Sequence, residues 1–338
     1  MKHLTFLAVL AALFVTVSSF TTKQPVSPAG NTADPEDSTI SVVAYFCNRD
    51  TFVYREYYGE WKIEGEDTVM TADMEASYMI NVTDSTAKGY ELEFHLLDYQ
   101  TALPEGADAG TEISSFFADM FGKRIKGACL RFTTDEFGVI TGYSNEKEMR
   151  KLLDKAYRET CGELMKHPRI VEMKQAGIHA DKLLSMFNED VLMQDYVKDL
   201  DMMFAFHGKR YDLGETSYHE GATAKQYAND SYINAWSDPE TGKYGIATSV
   251  DNYIPWEDAL NIATKAIGLM TSDTIADAIQ EKFTTKKETM IYNAYVSLSY
   301  FENGWPEEMT RQDITRLAGK EKIKQTHVLW ERYSVGNH

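Results

Sequence analysis

Hydrophobic and polar positions follow their most regular pattern between residues 128 and 167. Leu130 and Phe132 alternate with Cys129, Arg131 and Thr133, which is the period of a strand with one buried face. A polar turn and a second short strand follow. Beyond residue 145, a favourable N-cap asparagine, apolar side chains recur at helical spacing. The pattern predicts a β-hairpin with an amphipathic helix lying on it.

Strand-forming residues dominate two further regions, residues 40–97 and 290–301. The first region includes VVAYF at residues 42–46, which we interpret as a strand. The second alternates throughout, and a strand of this length favours a curved sheet over a flat one. A helical block and more hairpins lie between the two regions. This order predicts an α+β fold, with a curved, mostly antiparallel sheet and helices packed on one side.

The first nineteen residues have the pattern of an export signal. Lys2 and His3 form a short basic start, an apolar run follows, and small residues precede a cleavage site after Ser19. The apolar run is shorter than the roughly 20 residues that span a bilayer as a helix. We therefore predict a signal peptide over residues 1–19 and an exported protein, periplasmic, on the outer surface or secreted.

The remaining chain divides into three regions by composition. Residues 20–39 are rich in Pro, Ser, Thr and Asp and predict a disordered tether. Residues 40–167 form a β-rich half that closes with a helix, and residues 168–338 form a helical block followed by β-hairpins. Whether the two halves are separate domains or one globule stays open. No segment after the signal peptide is expected to be an integral membrane helix.

The charge of the chain narrows the choice of partners. Fifty-two acidic residues against 34 basic residues give a net charge of −18. Such a charge repels nucleic acid and anionic lipid headgroups and supports solubility. We therefore expect no nucleic-acid partner.

Three cysteines lie in a chain that is predicted to reach an oxidising compartment. A disulfide between Cys129 and Cys161 would join the hairpin to its own helix and is the preferred pair. The alternative is that Cys47, Cys129 and Cys161 are all small buried hydrophobic residues. CxxC and HExxH spacings do not occur, so no metal site and no cofactor are predicted.

Two motifs carry a resemblance to known proteins. These are the hairpin-to-helix unit at residues 132–145 (FTTDEFGVITGYSN) and the turn at residues 301–309 (FENGWPEEM). With a cleavable signal and an acidic, Tyr-rich chain, they resemble uncharacterised exported proteins of Gram-negative bacteria. The architecture is similar to that of lipoprotein-carrier folds, which implies a curved antiparallel sheet with helices on its concave side.

Aromatic and thioether side chains are abundant, with 20 Tyr, 16 Phe, 5 Trp and 15 Met. One interpretation assigns all of them to the core. The other places part of the C-terminal β region on the concave side of the sheet, as the wall of a ligand site. The residues of that predicted wall are Tyr292, Val296, Leu298, Tyr300 and Trp330.

The second interpretation predicts a soluble, non-enzymatic binding protein for an apolar ligand or an envelope protein. No catalytic residues are assigned, because GxSxG, P-loop and GxGxxG motifs are absent from the sequence. Two alternatives stay open. One is a secreted hydrolase whose site is assembled from distant residues, and the other is a structural component of an envelope complex.

Overall fold

The computed structural model describes residues 39–335 apart from 106, 186, 225, 272 and 284–287. Residues 1–19, the predicted signal peptide, lie outside the described residues. The predicted tether, residues 20–39, also lies outside them, except for Thr39. Within the described ranges, no helix combines the length and the apolar content that a transmembrane span requires.

The strands are β1 (Thr39–Ser41), β2 (Asp50–Glu64), β3 (Asp67–Thr86), β4 (Gly89–Ala102), β5 (Cys129–Thr134), β6 (Ile140–Tyr143), β7 (Arg210–Asp212), β8 (Gly214–Glu220), β9 (Ala228–Ser237), β10 (Tyr244–Pro255), β11 (Thr289–Tyr300), β12 (Pro306–Leu317) and β13 (Lys320–Val335). The helices are α1 (Ala109–Ile125), α2 (Glu146–Leu164), α3 (Pro168–Gln175), α4 (Ala180–Leu184), α5 (Glu189–Met203), α6 (Trp256–Met270) and α7 (Asp273–Phe283).

Eleven of these strands form one open antiparallel sheet, in the order β6-β5-β4-β3-β2-β13-β12-β11-β10-β9-β8. The chain runs outward from β2 to β6 and returns from β8 to β13. The last strand then pairs with β2, from Lys320 opposite Glu64 to Val335 opposite Asp50. The predicted α+β class with a mostly antiparallel sheet is therefore confirmed. The sheet takes strands from both predicted halves, and the boundary between these halves stays a prediction.

The helices cover one face of the sheet. Helix α1 packs on β3 and β4, α2 on β5, and α6 on β10 and β11. A small apolar cluster containing Ile113, Leu164, Met173 and Ile267 joins α1, α2, α3 and α6. The helix layer thus reaches from one arm of the sheet to the other and passes over the central strands.

The predicted hairpin and helix at residues 128–167 are confirmed as β5, β6 and α2. Asn145 is the N-cap residue of α2, but its side chain does not cap the helix. Its Oδ1 accepts a hydrogen bond from the backbone N–H of Arg131 at 2.8 Å, and its Nδ2 donates to the carbonyl of Cys129 at 2.9 Å. The asparagine therefore ties the start of the helix to β5.

The prediction of a strand at residues 42–46 was wrong. Val42 and Phe46 are buried, at 0% and 3% exposure, so the apolar pattern does reflect the core. The backbone N–H of Ala44 donates to Phe137, and that of Tyr45 donates to Asn303. Because these partners belong to separate loops, the segment crosses the core in extended form without joining a sheet.

Candidate functional site

The helix-facing side of the central strands changes from apolar to charged along its length. On β2, Tyr54 is fully buried in the core, and Glu56, Tyr58 and Glu60 follow at alternate positions. Alternate side chains of a strand share one face, so these residues continue the helix-facing side. Charged side chains there need partners, because water is largely excluded.

The neighbouring strands supply those partners in register. Tyr58 lies opposite Thr326 of β13, and Thr326 lies opposite Arg311 of β12. The next row consists of Glu60, Lys324 and Asp313. Hydrogen-bonded pairing of β2, β13 and β12 therefore brings these polar side chains together.

Helix α5 covers the charged part of the sheet and completes the site. Lys198 and Asp199 lie three and four positions after Asp195, on the same side of the helix. This face lies on the charged part of the sheet, since Asp199 and Lys198 both contact residues of β12. We call the following residues the central polar cluster: Glu56, Tyr58, Glu60, Asp195, Lys198, Asp199, Arg311, Asp313, Lys322, Lys324 and Thr326.

Arg311 holds the middle of the central polar cluster. Its Nε lies 3.0 Å from Asp199 Oδ1, a charge pair that lacks the alignment of a hydrogen bond, and its Nη1 lies 3.1 Å from Asp313 Oδ2. Its Nη2 donates to Thr326 Oγ1 at 2.9 Å. Burial disfavours the charged form of Arg311. Attraction to the Asp199 and Asp313 carboxylates outweighs burial and raises the pKa of the guanidinium.

Glu60 forms a second buried charge group. Its carboxylate lies 2.9 Å from Lys322 Nζ and 3.4 Å from Lys324 Nζ, and Tyr58 donates its hydroxyl hydrogen to it. Burial opposes ionisation of Glu60, but the two ammonium groups outweigh burial and lower its pKa to about 2. Burial also lowers the pKa of Lys322 to about 8, although Glu60 favours its charged form.

Asp195 and Lys198 behave differently from these paired groups. Asp195 is exposed, and 45% of the Lys198 side chain is accessible. Nevertheless, burial raises the pKa of Asp195 and lowers that of Lys198, so protein surrounds both groups closely enough to disfavour their charges. Both side chains therefore lie at the edge of the contact between α5 and the central strands, open to water on one side and close to protein on the other. We call this part of the protein surface the recess.

Glu56 is a further carboxyl group of the central polar cluster. Burial, reinforced by the Asp199 carboxylate, raises its pKa to about 8. Glu56 is therefore mostly protonated at neutral pH and offers an O–H donor rather than a charge. A carboxyl group with such a shifted pKa, next to an accessible space, is a feature common at functional sites.

The side of the cluster toward β3 and β4 is aromatic and apolar. Tyr99 on β4 is half-buried, and its hydroxyl donates to the thioether of Met74 on β3 at 2.9 Å. Burial raises the pKa of Tyr99, and the nearby carboxylates of Glu56 and Asp195 add to that shift. This side therefore borders the same charged groups, so the surroundings of the recess are polar on one side and largely apolar on the other.

The structure separates the residues of the predicted ligand wall. Leu298 and Tyr300, at 1% and 0% exposure, belong to the packed core. Trp330 is 37% exposed and packs edge-to-face on Phe301.

Two of the predicted wall residues border the central polar cluster. Tyr292 is buried and donates its hydroxyl hydrogen to Asp313 at 2.6 Å. Val296 lies directly opposite Arg311 in the sheet. The assignment of these five residues to a ligand site stays a prediction.

The structure does not bring Cys129 and Cys161 together. Cys47, Cys129 and Cys161 are all free thiols in the described part of the chain, and Cys47 is exposed. Cys161 packs against the main core on the helix side. Strand alternation places Cys129 on the other face, since Leu130 is the buried neighbour.

Sequence patterns missed the central polar cluster. The local pattern of α5 does not indicate that its polar face lies on the sheet. One signal does exist in the sequence: β12 and β13 (PEEMTRQDITRL and KEKIKQTHVLWERYSV) carry charged residues on both faces. Charges on both faces of neighbouring strands at the centre of a sheet require mutual pairing.

Comparisons with known proteins are limited. The sequence matches no family model and no curated protein. A solved structure of lipovitellin, titled for its lipid–protein interactions, is similar with a TM-score of 0.41 and 10% identity, over 87% of this chain and 26% of that one. An outer membrane channel from Pseudomonas putida F1 is similar with a TM-score of 0.13 and 7% identity, over 89% of this chain and 100% of that one. The chain thus spans about a quarter of the lipovitellin chain. Both structural similarities are too low to carry an argument.

Proposed function

We propose that the protein is an exported, non-enzymatic binding protein whose ligand occupies the recess between α5 and the central strands. One observation carries the proposal. Asp195 and Lys198 keep accessible surface, while burial disfavours the charge on each. A ligand with suitable polar groups would replace the water that these two side chains otherwise contact.

The ligand that fits such a recess is an amphiphile. Lys198 and Asp195 offer one accessible cation and one accessible anion, whereas Arg311 and Glu60 are already paired within the protein. A charged or zwitterionic group would find partners at these two residues. The apolar part of the ligand would lie toward Tyr99 and the other apolar side chains of β3 and β4.

A purely apolar ligand, as the sequence pattern suggested, fits less well. It would remove water from Asp195 and Lys198 without replacing their polar contacts, which is unfavourable for charged groups. The apolar positions Leu298 and Tyr300 are occupied by the protein's own core. The proposal therefore retains ligand binding but changes the chemical class of the ligand.

A fluorescent amphiphile tests this proposal. We expect 11-(dansylamino)undecanoic acid to bind the mature protein with one molecule per chain and with increased fluorescence, because the dansyl group leaves water. Lys198→Gln should weaken binding several-fold, since Lys198 is the accessible cation for the carboxylate. Native mass spectrometry of protein purified from its own host should show a co-purifying amphiphile.

Lys155→Gln is the matched control, because Lys155 lies on α2 with 78% of its side chain exposed. It should leave binding unchanged. Equal effects of the two substitutions, or no fluorescence change with the wild-type protein, would count against a ligand site in the recess.

A second candidate function is hydrolysis, and Glu56 is the observation that favours it. A carboxyl group with a pKa of about 8 can act as a general acid, and the nearby Asp199 offers a second carboxyl group. Hydrolysis of nitrophenyl glycosides or esters by the wild-type protein, lost in Glu56→Gln, would support this function. Absence of turnover together with amphiphile binding would favour the binding protein.

A further inference from the structure

The face of the sheet opposite to the helices carries a compact group of unlike donor residues. His95 Nε2 lies 3.0 Å from Glu93 Oε2 and 3.7 Å from Cys129 Sγ. The donor atoms of all three residues lie within 4.8 Å of one another, and each residue is partly buried. This group is separate from the recess, which lies on the helix-facing side.

Strand pairing explains why the three residues meet. His95 of β4 lies directly opposite Cys129 of β5, so their side chains leave the sheet side by side. Glu93 precedes His95 by two positions and therefore shares its face. The backbone of two hydrogen-bonded strands thus holds an imidazole, a thiol and a carboxylate in fixed relation.

The spacing matches that of a tetrahedral zinc centre. Zinc lies about 2.0–2.1 Å from nitrogen and oxygen and about 2.3 Å from sulfur, which places N and S about 3.5 Å apart and N and O about 3.3 Å apart. The two measured separations are 3.7 Å and 3.0 Å, so small side-chain rotations are enough to complete the geometry.

We propose that Glu93, His95 and Cys129 bind a divalent metal ion of the zinc class. Imidazole, thiolate and carboxylate together suit Zn²⁺ better than Mg²⁺ or Ca²⁺, which take oxygen ligands. Three protein ligands leave one coordination position for water or for a further side chain. The proposal differs from the absence of a metal site that the sequence spacing predicted, because the ligands come from separate strands.

A fourth candidate ligand atom, an oxygen, lies nearby on β3. Asn81 is directly opposite Glu93, and its Oδ1 is buried and accepts no hydrogen bond from the described residues. A buried amide oxygen without a partner is uncommon in folded proteins. Side chains directly opposite in neighbouring strands are about 4.5–5.5 Å apart at Cβ, so Asn81 is close enough to support Glu93 or to contact the ion.

Arg131 competes with a metal ion for the carboxylate of Glu93. Its Nε lies 3.2 Å from Glu93 Oε1, which leaves the other oxygen, Oε2, facing His95. The Arg131 side chain is 62% exposed and can turn toward solvent when an ion binds. Zinc binds cysteine as the thiolate, so metal binding releases the thiol proton of Cys129 and should strengthen as pH rises.

Cobalt titration of the reduced mature protein tests this proposal. We expect Co²⁺ to bind with one ion per chain and to give the sulfur-to-cobalt charge-transfer absorption and the visible bands of a tetrahedral site, and Zn²⁺ to displace it. Cys129→Ser should abolish the charge-transfer band. Glu93→Gln, which keeps the thiolate, should retain that band but weaken zinc affinity at least about tenfold.

Two matched variants serve as controls. Cys161→Ser removes a different thiol, and His219→Gln removes a different imidazole, one that lies 2.6 Å from Asp230 without a cysteine in contact. Both should leave the cobalt spectrum unchanged. The proposal is overturned if wild-type protein shows no charge-transfer band, or if the band survives in Cys129→Ser. Circular dichroism of each variant establishes that it is folded. If the metal site proves absent, the proposal of an amphiphile site in the recess is unaffected.

Discussion

The Nε atom of Arg311 on β12 lies 3.0 Å from Oδ1 of Asp199 on α5, so a charge pair joins the helix layer to the middle of the sheet. Only 10% of the Arg311 side chain and 24% of the Asp199 side chain are accessible. Such a pair is weakly screened by water and salt.

Removing Arg311 should therefore destabilise the protein strongly. Arg311→Met removes the cation between the partly buried carboxylates of Asp199 and Asp313, which costs about 3–5 kcal/mol for a buried pair. Urea unfolding monitored by circular dichroism measures the change. Arg158→Met is the control, because Arg158 pairs with Asp154 at the surface with 76% of its side chain exposed, and it should change stability little. Similar losses in both variants would contradict a buried role for Arg311.

Glu56 should make the stability fall as pH rises through the neutral range. Its pKa is about 8 in the folded protein, against an ordinary value of 4.5. Between these values the unfolded chain loses the proton that the folded protein retains, so rising pH favours the unfolded chain. Glu56→Gln removes this titration, and its stability should depend less on pH than that of the wild type.

Urea unfolding at about pH 5 and about pH 8 measures the difference for Glu56→Gln. Glu163→Gln is the control, since Glu163 lies at the surface beside Lys166 with 44% of its side chain exposed. A pH dependence that is the same in the wild type, Glu56→Gln and Glu163→Gln would exclude Glu56 as its source.

Gly304 should tolerate no side chain. It has a φ of +80°, and an added Cβ would lie 2.2 Å from the carbonyl oxygen of Val43. Gly319 has a similar φ of +74° but has no atom within 4 Å of an added Cβ. Both alanine substitutions carry the strain of a positive φ, about 1 kcal/mol, and Gly304→Ala adds a backbone clash. Gly304→Ala should therefore lower the melting temperature more than Gly319→Ala, and equal shifts would show that the clash is relieved.

The cysteines should remain separate in the native protein. Because Cys129 and Cys161 lie on opposite sides of β5, non-reducing peptide mapping should recover them in unlinked peptides. Iodoacetamide should label the exposed Cys47 first. Burial raises the pKa of Cys161, so its thiol should react slowly at neutral pH. A peptide that links Cys129 to Cys161 would instead establish the disulfide predicted from the sequence.

Local patterns in the sequence predicted the local structure well. The hairpin and helix at residues 128–167 and the β11 strand at residues 289–300 follow from the spacing of apolar residues and from turn residues. These elements are predictable because neighbouring residues determine whether one face of a helix or strand is apolar. Residues 42–46 were misassigned because burial without strand pairing gives the same pattern.

The location of charged residues was decided by the tertiary structure alone. The sequence by itself determined that α5 has one polar face and that β12 and β13 carry many charges. It did not determine that these surfaces meet, because that depends on the pairing of β13 with β2, whose residues Lys320 and Glu64 are 256 positions apart. His95 and Cys129 likewise come together only through the register of β4 and β5. Alternation along a chain specifies which side chains share a face. Which side chains of other strands and helices they contact depends on the packing of the whole sheet.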